Sequence, residues 1–387
     1  MLMNYNLIMP HAVYSGENAL EKIENILQKH DAGHVLLFTD KGIRESGLLE
    51  IVLKEVRKAG SRYDILDELQ PEPDYEMVQK LAEQSGRLQA DMIIGCGGGS
   101  VMDTAKLAGL LAGTDYTVQD LMEAPSLADR RMPVIMIPTT AGTGAEATPN
   151  AIVSVPENEM KFGIVNESMI ADYVILDARM VQKMPRKIAA ATGVDALAHC
   201  LECFIGKKAN PFSDMFALEG LDLILNHIEK ACDDPDAMED KNCMQIAAFY
   251  GGLAITASGT TAVHALSYPL GGKYHIAHGI ANAILLVPVM RFNEPVCRGR
   301  LAAVYERCCH DEKRTCRTEE EKSAWVIRRL EEIVRHLDIP ISLRGLGVLE
   351  SDLEDLVRVG MQTQRLLMNN PRVLTEEDAR RLYREVM

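Results

Sequence analysis

Between residues 34 and 140 the chain alternates short apolar runs with amphipathic ones, and few architectures accept that rhythm. HVLLFTD (34–40) reads as a buried strand ending at Thr39, and GLLEIVLKEVRKAG (47–60) as a helix with Gly60 beyond its end. RYDILDEL (62–69) is strand-like and YEMVQKLAEQSG (75–86) helical, while ADMIIGC (90–96) and PVIMIPTT (133–140) are clear strands. Such alternation predicts a parallel sheet flanked by helices. Right-handed crossovers then put the strand ends, and any ligand, along one edge.

After about residue 180 strand-like runs nearly vanish. Pro185 stands where a helix over 185–205 would begin, and 213–231 carries a helical stripe of apolar residues. Further helices are expected at 242–268, 323–337, 351–368 and 375–386, the last with Thr375 and Asp378 in a capping box. A length of 387 residues suits two domains. The boundary falls near Met180–Met184, giving an α/β domain over 1–182 and an all-helical one over 183–387.

With 41 Lys+Arg against 56 Asp+Glu the net charge is −15, which argues against nucleic acid or an acidic membrane surface as partner. The opening MLMNYNLIMPHAVYSG lacks a basic region followed by an apolar one, so no secretory signal is expected. No stretch approaches the roughly 18 apolar residues of a membrane span. Nine scattered cysteines suggest no disulfide framework and a reducing cytoplasm. Cys200 and Cys203 read as small core-facing thiols.

ADMIIGCGGGSVMDTAK (90–106) is a strand, a glycine cluster and a helix opened by Ser100, with Asp103 three residues on. Glycines let a phosphate approach the backbone, and free N–H groups at a helix start bind it. A tight turn with a Ser cap accounts for the same residues. Asp40, just past a strand end, can accept hydrogen bonds from an adenosine ribose and repel a 2′-phosphate, favouring NAD over NADP. PTTAGTGAEATPN (138–150) follows another strand with hydroxyls and free amides that suit a pyrophosphate or a carboxamide. Three such segments in one half favour a single extended nucleotide site over three unrelated turns.

GVDALAHCLEC (193–203) places Asp195 and His199 four apart on one face of an apolar helix. They are either a buried pair bonded to each other or two ligands of a metal. HALSYPLGGKYHIAHG (264–279) holds His264, His275 and His278 among small residues, where an unpaired imidazole is costly to bury. Asp195, His199, His264 and His278 together offer three nitrogens and one oxygen. That set suits a first-row divalent ion with a position left for substrate.

GCGGGSVMDTAK, PTTAGTGAEATPN, GVDALAHCLE and HALSYPLGGKYHIAHGIANAILL, in that order, resemble the iron-containing (group III) alcohol dehydrogenase family. The likeness runs from VYSG at 13–16 to EDARRLY near the end. It implies a Rossmann-like dinucleotide-binding domain and an all-α metal-binding domain of the dehydroquinate synthase-like type, with the active site in the cleft between. It implies metal ligands at Asp195, His199, His264 and His278. Cofactor contacts are implied at Asp40, Gly97, Gly98, Gly99, Ser100, Thr139, Thr140, Asn150 and Lys161. The implied cofactors are NAD and Fe²⁺, with Zn²⁺ the alternative metal, and the implied assembly is a homodimer or larger. The reaction is hydride transfer between nicotinamide and a small alcohol or aldehyde.

Two departures stand out. Many members carry a second histidine four residues after the ligand at His264, and this chain has Tyr268; the proton relay is therefore Tyr268, His275 or water. Ile255, Thr256 and Ala257 replace the usual aromatic and Ser-Asn pair, which implies a reshaped pocket wall. The rivals are a zinc-dependent polyol dehydrogenase of the glycerol type, a dehydroquinate-synthase-like lyase, and a non-enzymatic scaffold. His199 favours four ligands over the three of the first rival. Scarcity of Lys and Arg beside the ligands, Lys273 excepted, disfavours the second, and four intact ligand positions disfavour the third.

Overall fold

The computed structural model describes residues 4–130, 132–158, 160–311, 313 and 315–387, which fall into two compact units. One spans Ile8–Met184; the other comprises Pro185–Met387 with residues 4–7.

The first unit is α/β. Six strands, β1 (Ala12–Ser15), β2 (His34–Phe38), β3 (Arg62–Leu66), β4 (Met92–Gly97), β5 (Val134–Pro138) and β8 (Tyr173–Leu176), pair in the order β1-β8-β5-β4-β2-β3. Every pairing is parallel. HVLLF and VIMIP are buried at every residue, as strands covered on both faces must be. The helices are α1 (Lys22–Lys29), α2 (Lys41–Glu45), α3 (Leu48–Lys58), α4 (Tyr75–Leu88), α5 (Gly99–Leu111) and α6 (Val118–Glu123). A separate antiparallel hairpin, β6 (Asn150–Val155) and β7 (Met160–Val165), follows β5.

Register sets the ligand edge. Phe38 stands opposite Gly95 and Gly97 opposite Pro138, so the segments after β2, β4 and β5 leave the sheet side by side. Two strands end earlier than expected, β2 at Phe38 rather than Thr39 and β3 at Leu66 rather than Leu69.

The second unit is helical: α7 (Arg186–Ile205), α8 (Pro211–Asp233), α9 (Met238–Ser258), α10 (Ala262–Tyr274), α11 (His278–Cys308), α12 (Glu319–His336), α13 (Leu353–Gly360), α14 (Gln364–Leu367) and α15 (Glu376–Val386). The single helix expected over 242–268 is instead two, bent by 107° between α9 and α10. Gly259 has φ +83°, which a helix cannot continue through, and the Asn369 amide donates to the freed carbonyls of Ser258, Gly259 and Thr260 at 3.2, 3.0 and 3.1 Å. The segment expected helical over 351–368 is likewise divided into a 3₁₀ turn, α13 and α14. Thr375 and Asp378 form the capping box of α15.

Among the described residues two helices, α7 and α11, are long and apolar enough to cross a membrane, contrary to the expectation that no stretch approaches a span. In this unit 89% and 72% of their most apolar windows are buried against protein, so their composition is that of core helices.

Candidate functional site

Helix α7 is buried along almost its whole length and carries Asp195, His199 and Glu202 at i, i+4 and i+7, one face of the helix. The bend after α9 turns α10 so that His264 meets that face, and α11 begins at His278. One ligand atom from each of Asp195, His199, His264 and His278 lies within 4.8 Å of the other three. Asp195 Oδ1 is 3.8, 3.7 and 3.6 Å from Nε2 of His199, His264 and His278. Nitrogen and oxygen ligands about 2.0–2.2 Å from one tetrahedral ion stand roughly 3.3–3.6 Å apart, so the donor set fits a divalent metal. The His199 and His264 rings stack at 4.6 Å.

Burial works against the charged form of Asp195, yet His199, His278, His264 and the Asn282 amide together hold its carboxyl below the ordinary range. Burial also lowers the affinity of His264 for a proton, but Glu202 and then Asp195 outweigh it and leave the imidazole raised. Asn282, fully buried, places Nδ2 2.7 Å from Asp195 Oδ1 and 3.2 and 3.1 Å from Nε2 of His264 and His278. Its Oδ1 is buried and has no partner among the described residues.

Gly279 decides how near α11 comes. A Cβ there would stand 2.2 Å from the Ala191 carbonyl oxygen, so only glycine lets the start of α11 approach the α7 backbone. Sequence reasoning missed Gly279, Glu202 and Asn282. Spacing could have found Glu202, three residues past His199, and Asn282, four past His278.

Tyr268, on α10, has its ring 6.1 Å from that of His278. Burial raises its phenol, and Arg365 opposes that rise. His275 is exposed at the end of α10 with φ +53°, and no contact joins it to the four ligands among the described residues. Lys273 is held by Asp355 at 3.0 Å and Asp352 at 3.4 Å. Cys200 and Cys203 are wholly buried; burial pushes the first thiol up to about 12 and the second well above its ordinary value.

In the α/β unit Asp40, Gly97, Gly98, Gly99, Ser100, Thr139 and Thr140 lie at or just past the ends of β2, β4 and β5, whereas Asn150 and Lys161 lie on the separate β6–β7 hairpin. Gly97 closes β4, and Gly98 rather than Ser100 is the N-cap of α5, with no side chain capping the helix. The helix start therefore keeps backbone donors suited to a phosphate. The three glycines have no positive φ; close packing explains two of them. A Cβ on Gly97 would stand 2.5 Å from Val101 Cγ2, and one on Gly99 2.9 Å from Thr143 Cγ2. Thr139 N donates to Gly97 O at 3.0 Å, which sets Thr139 and Thr140 beside the glycine turn. Asp40 caps α2, its Oδ1 accepting from Ile43 N at 2.9 Å. Asn150 opens β6, and its carbonyl accepts from the buried Lys106 ammonium. Lys161 is ion-paired to Glu72 at 2.6 Å, and Glu72 N donates to Ser100 Oγ at 3.2 Å.

Comparison with known proteins bears on both units. Residues 10–178 match the model of iron-containing alcohol dehydrogenases, and residues 189–387 match the C-terminal model of the same family. The chain belongs to the iron-containing alcohol dehydrogenase family. Long-chain-alcohol dehydrogenase 1 of Geobacillus thermodenitrificans is 33% identical over 97% of this chain and 95% of its own. The NAD-dependent methanol dehydrogenase of Bacillus methanolicus is 30% identical over 99% and 100%. The crystal structure of a 1,3-propanediol oxidoreductase covers all of both chains with a TM-score of 0.93 at 28% identity. This iron-containing alcohol dehydrogenase homologue is accordingly an oxidoreductase acting on alcohols or aldehydes, with a Rossmann-like unit and a helical unit carrying a four-residue Asp/His site.

Proposed function

We propose that the chain is an NAD(H)- and Fe²⁺-dependent alcohol dehydrogenase that interconverts a small alcohol and its aldehyde, with the nucleotide held by residues 1–182 and the metal by residues 183–387. The single observation that carries this reading is the convergence of four donor atoms from three helices within 4.8 Å. Asp195, His199, His264 and His278 would hold the ion. Bound there, a divalent metal supplies Lewis acidity toward the substrate oxygen. Four protein ligands support this reading over the three-ligand polyol dehydrogenase. Iron rests on the family's character, because the donor set also accommodates zinc.

Asp40, at the edge of the sheet and half-buried, supports NAD over NADP through repulsion of a 2′-phosphate. The uncapped start of α5 would take the pyrophosphate, and Thr139, Thr140, Asn150 and Lys161 complete the contacts. Of the two relay residues, Tyr268 has the better support: its ring lies beside His278, whereas His275 is exposed. A buried neutral phenol can pass a proton between substrate oxygen and solvent. Nine free cysteines suit a reducing cytoplasm, and the family's habit supports a homodimer.

The test is anaerobic oxidation of NADH by purified protein with Fe²⁺ across a panel of small neutral and anionic aldehydes. Turnover should need the metal, prefer NADH to NADPH and stop on chelation. Full turnover by metal-free protein would contradict the reading.

A further inference from the structure

Glu202 is a carboxylate with no exposure at all, sharing a face of α7 with Asp195 and His199. Its two oxygens have different work. Oε1 accepts from Thr261 N at 3.1 Å, Thr261 Oγ1 at 2.6 Å and Val263 N at 2.7 Å, and so caps the start of α10. Oε2 faces His264 Nδ1 at hydrogen-bonding distance. A carboxylate can only accept, so the proton of His264 sits on Nδ1 and the lone pair on Nε2. Asn282 agrees independently. The Asn282 atom 2.7 Å from Asp195 Oδ1 must be the amide nitrogen, because a carboxylate oxygen cannot take a second acceptor. With one proton given to Asp195, that nitrogen keeps one for His264 Nε2 at 3.2 Å or His278 Nε2 at 3.1 Å, an arrangement that accords with a bare Nε2 on His264.

Resting on the metal reading above, we propose that Glu202 is a positioning residue of the metal centre: it fixes the His264 tautomer that presents Nε2 to the ion and anchors the helix that carries the ring. An anion on the far nitrogen makes the metal-facing one more basic, and Glu202 with Asp195 balances the double charge of the ion in a site where three of the four ligands are buried.

Glutamine at 202 has almost the same shape and the opposite instruction. Its carbonyl oxygen must stay with the three donors of Thr261 and Val263, which turns the NH₂ toward His264 Nδ1. Nδ1 then becomes the acceptor, the proton moves to Nε2, and the atom that should bind the ion is blocked. The reverse amide orientation sets an NH₂ against three donors. Glu202→Asp keeps the anion and restores the tautomer at the cost of reach.

The experiment measures divalent-ion affinity of full-length wild type, E202Q and E202D by anaerobic competition with a chelator. It is combined with ¹⁵N imidazole shifts of histidine-labelled protein before metal is added. E202Q should bind the ion about 10–100-fold more weakly and show His264 protonated on Nε2. E202D should recover the wild-type tautomer and part of the affinity. A folded E202Q that binds as tightly as wild type overturns the proposal, as does wild-type protein with its His264 proton on Nε2, a measurement that needs no variant to fold. Wild type that takes up no divalent ion sinks the underlying metal reading instead.

Discussion

Asp195 Oδ1 lies 3.6 Å from His278 Nε2, although the two residues stand on different helices, α7 and α11. No hydrogen bond between them is needed to explain the approach, because the Asn282 amide already donates to that oxygen. The approach makes sense as two corners of one coordination shell. Asp195→Asn keeps the shape and removes the charge. It should weaken ion binding by more than the roughly 10–100-fold that an outer-shell change costs, leaving protein that elutes from gel filtration free of metal. Metal content equal to wild type after the same step would argue that the aspartate is a structural partner only.

Cofactor choice is tested at Asp40. Because its carboxylate also caps α2, alanine would mix two effects; a lost cap alone costs about 1 kcal/mol. Asp40→Ser keeps a capping oxygen and drops the charge. The ratio of kcat/KM for NADPH over NADH should rise at least tenfold, roughly 1.4 kcal/mol of discrimination. Thermal unfolding should move little. A ratio that stays put places the 2′ end of the nucleotide elsewhere.

The legible parts of the chain were those whose pattern has one reading. β2, β4 and β5 are buried on both faces and appear in the sequence as unbroken apolar runs. β1 and β8 have four residues each, too few to show a period. Helix α11 escaped notice because it is buried nearly all round and holds Pro288 and Pro295, so neither an amphipathic stripe nor the usual absence of proline marks it. In the site, Asp195 and His199 could be read from their spacing, but the bend that brings His264 to them depends on Gly259 and on Asn369, far along the chain. The spacing of Glu202 from His199 puts it on the ligand face, but what it holds there, Thr261, Val263 and His264, comes from a remote segment that the spacing does not name. His227 and His336 lie outside the site, paired with Asp240 at 2.8 Å and Asp233 at 2.6 Å on partly exposed surfaces.

Close approach of α11 to α7 predicts an unusual penalty at Gly279. Adding one methyl group sets it 2.2 Å from a backbone oxygen that no rotamer change can move. Gly279→Ala should cost at least the roughly 1–3 kcal/mol of ordinary overpacking, read by denaturant unfolding. Because His278 is the adjacent residue, the variant should also lose metal affinity. A variant with wild-type stability and wild-type metal content would show that the two helices can part without consequence.

Glu146 gives the pH dependence its sign. It sits fully buried in the turn after β5, and burial pushes its carboxyl up to about 7, with Lys106 only partly offsetting that. Its ordinary value is 4.5, so between pH 4.5 and about 7 the folded chain holds a proton that the unfolded chain has released. Stability from this group is therefore complete below pH 4.5 and is lost as pH rises toward 7; above that the penalty is constant. Its size is on the order of 3 kcal/mol. Glu146→Gln has no proton to lose. Urea unfolding of both proteins at pH 5 and pH 8 should show wild type losing more stability across the interval than E146Q, with the two converging at the acid end. Parallel losses would mean that the carboxyl is already ionised in the folded chain at pH 5, held so by the buried ammonium of Lys106.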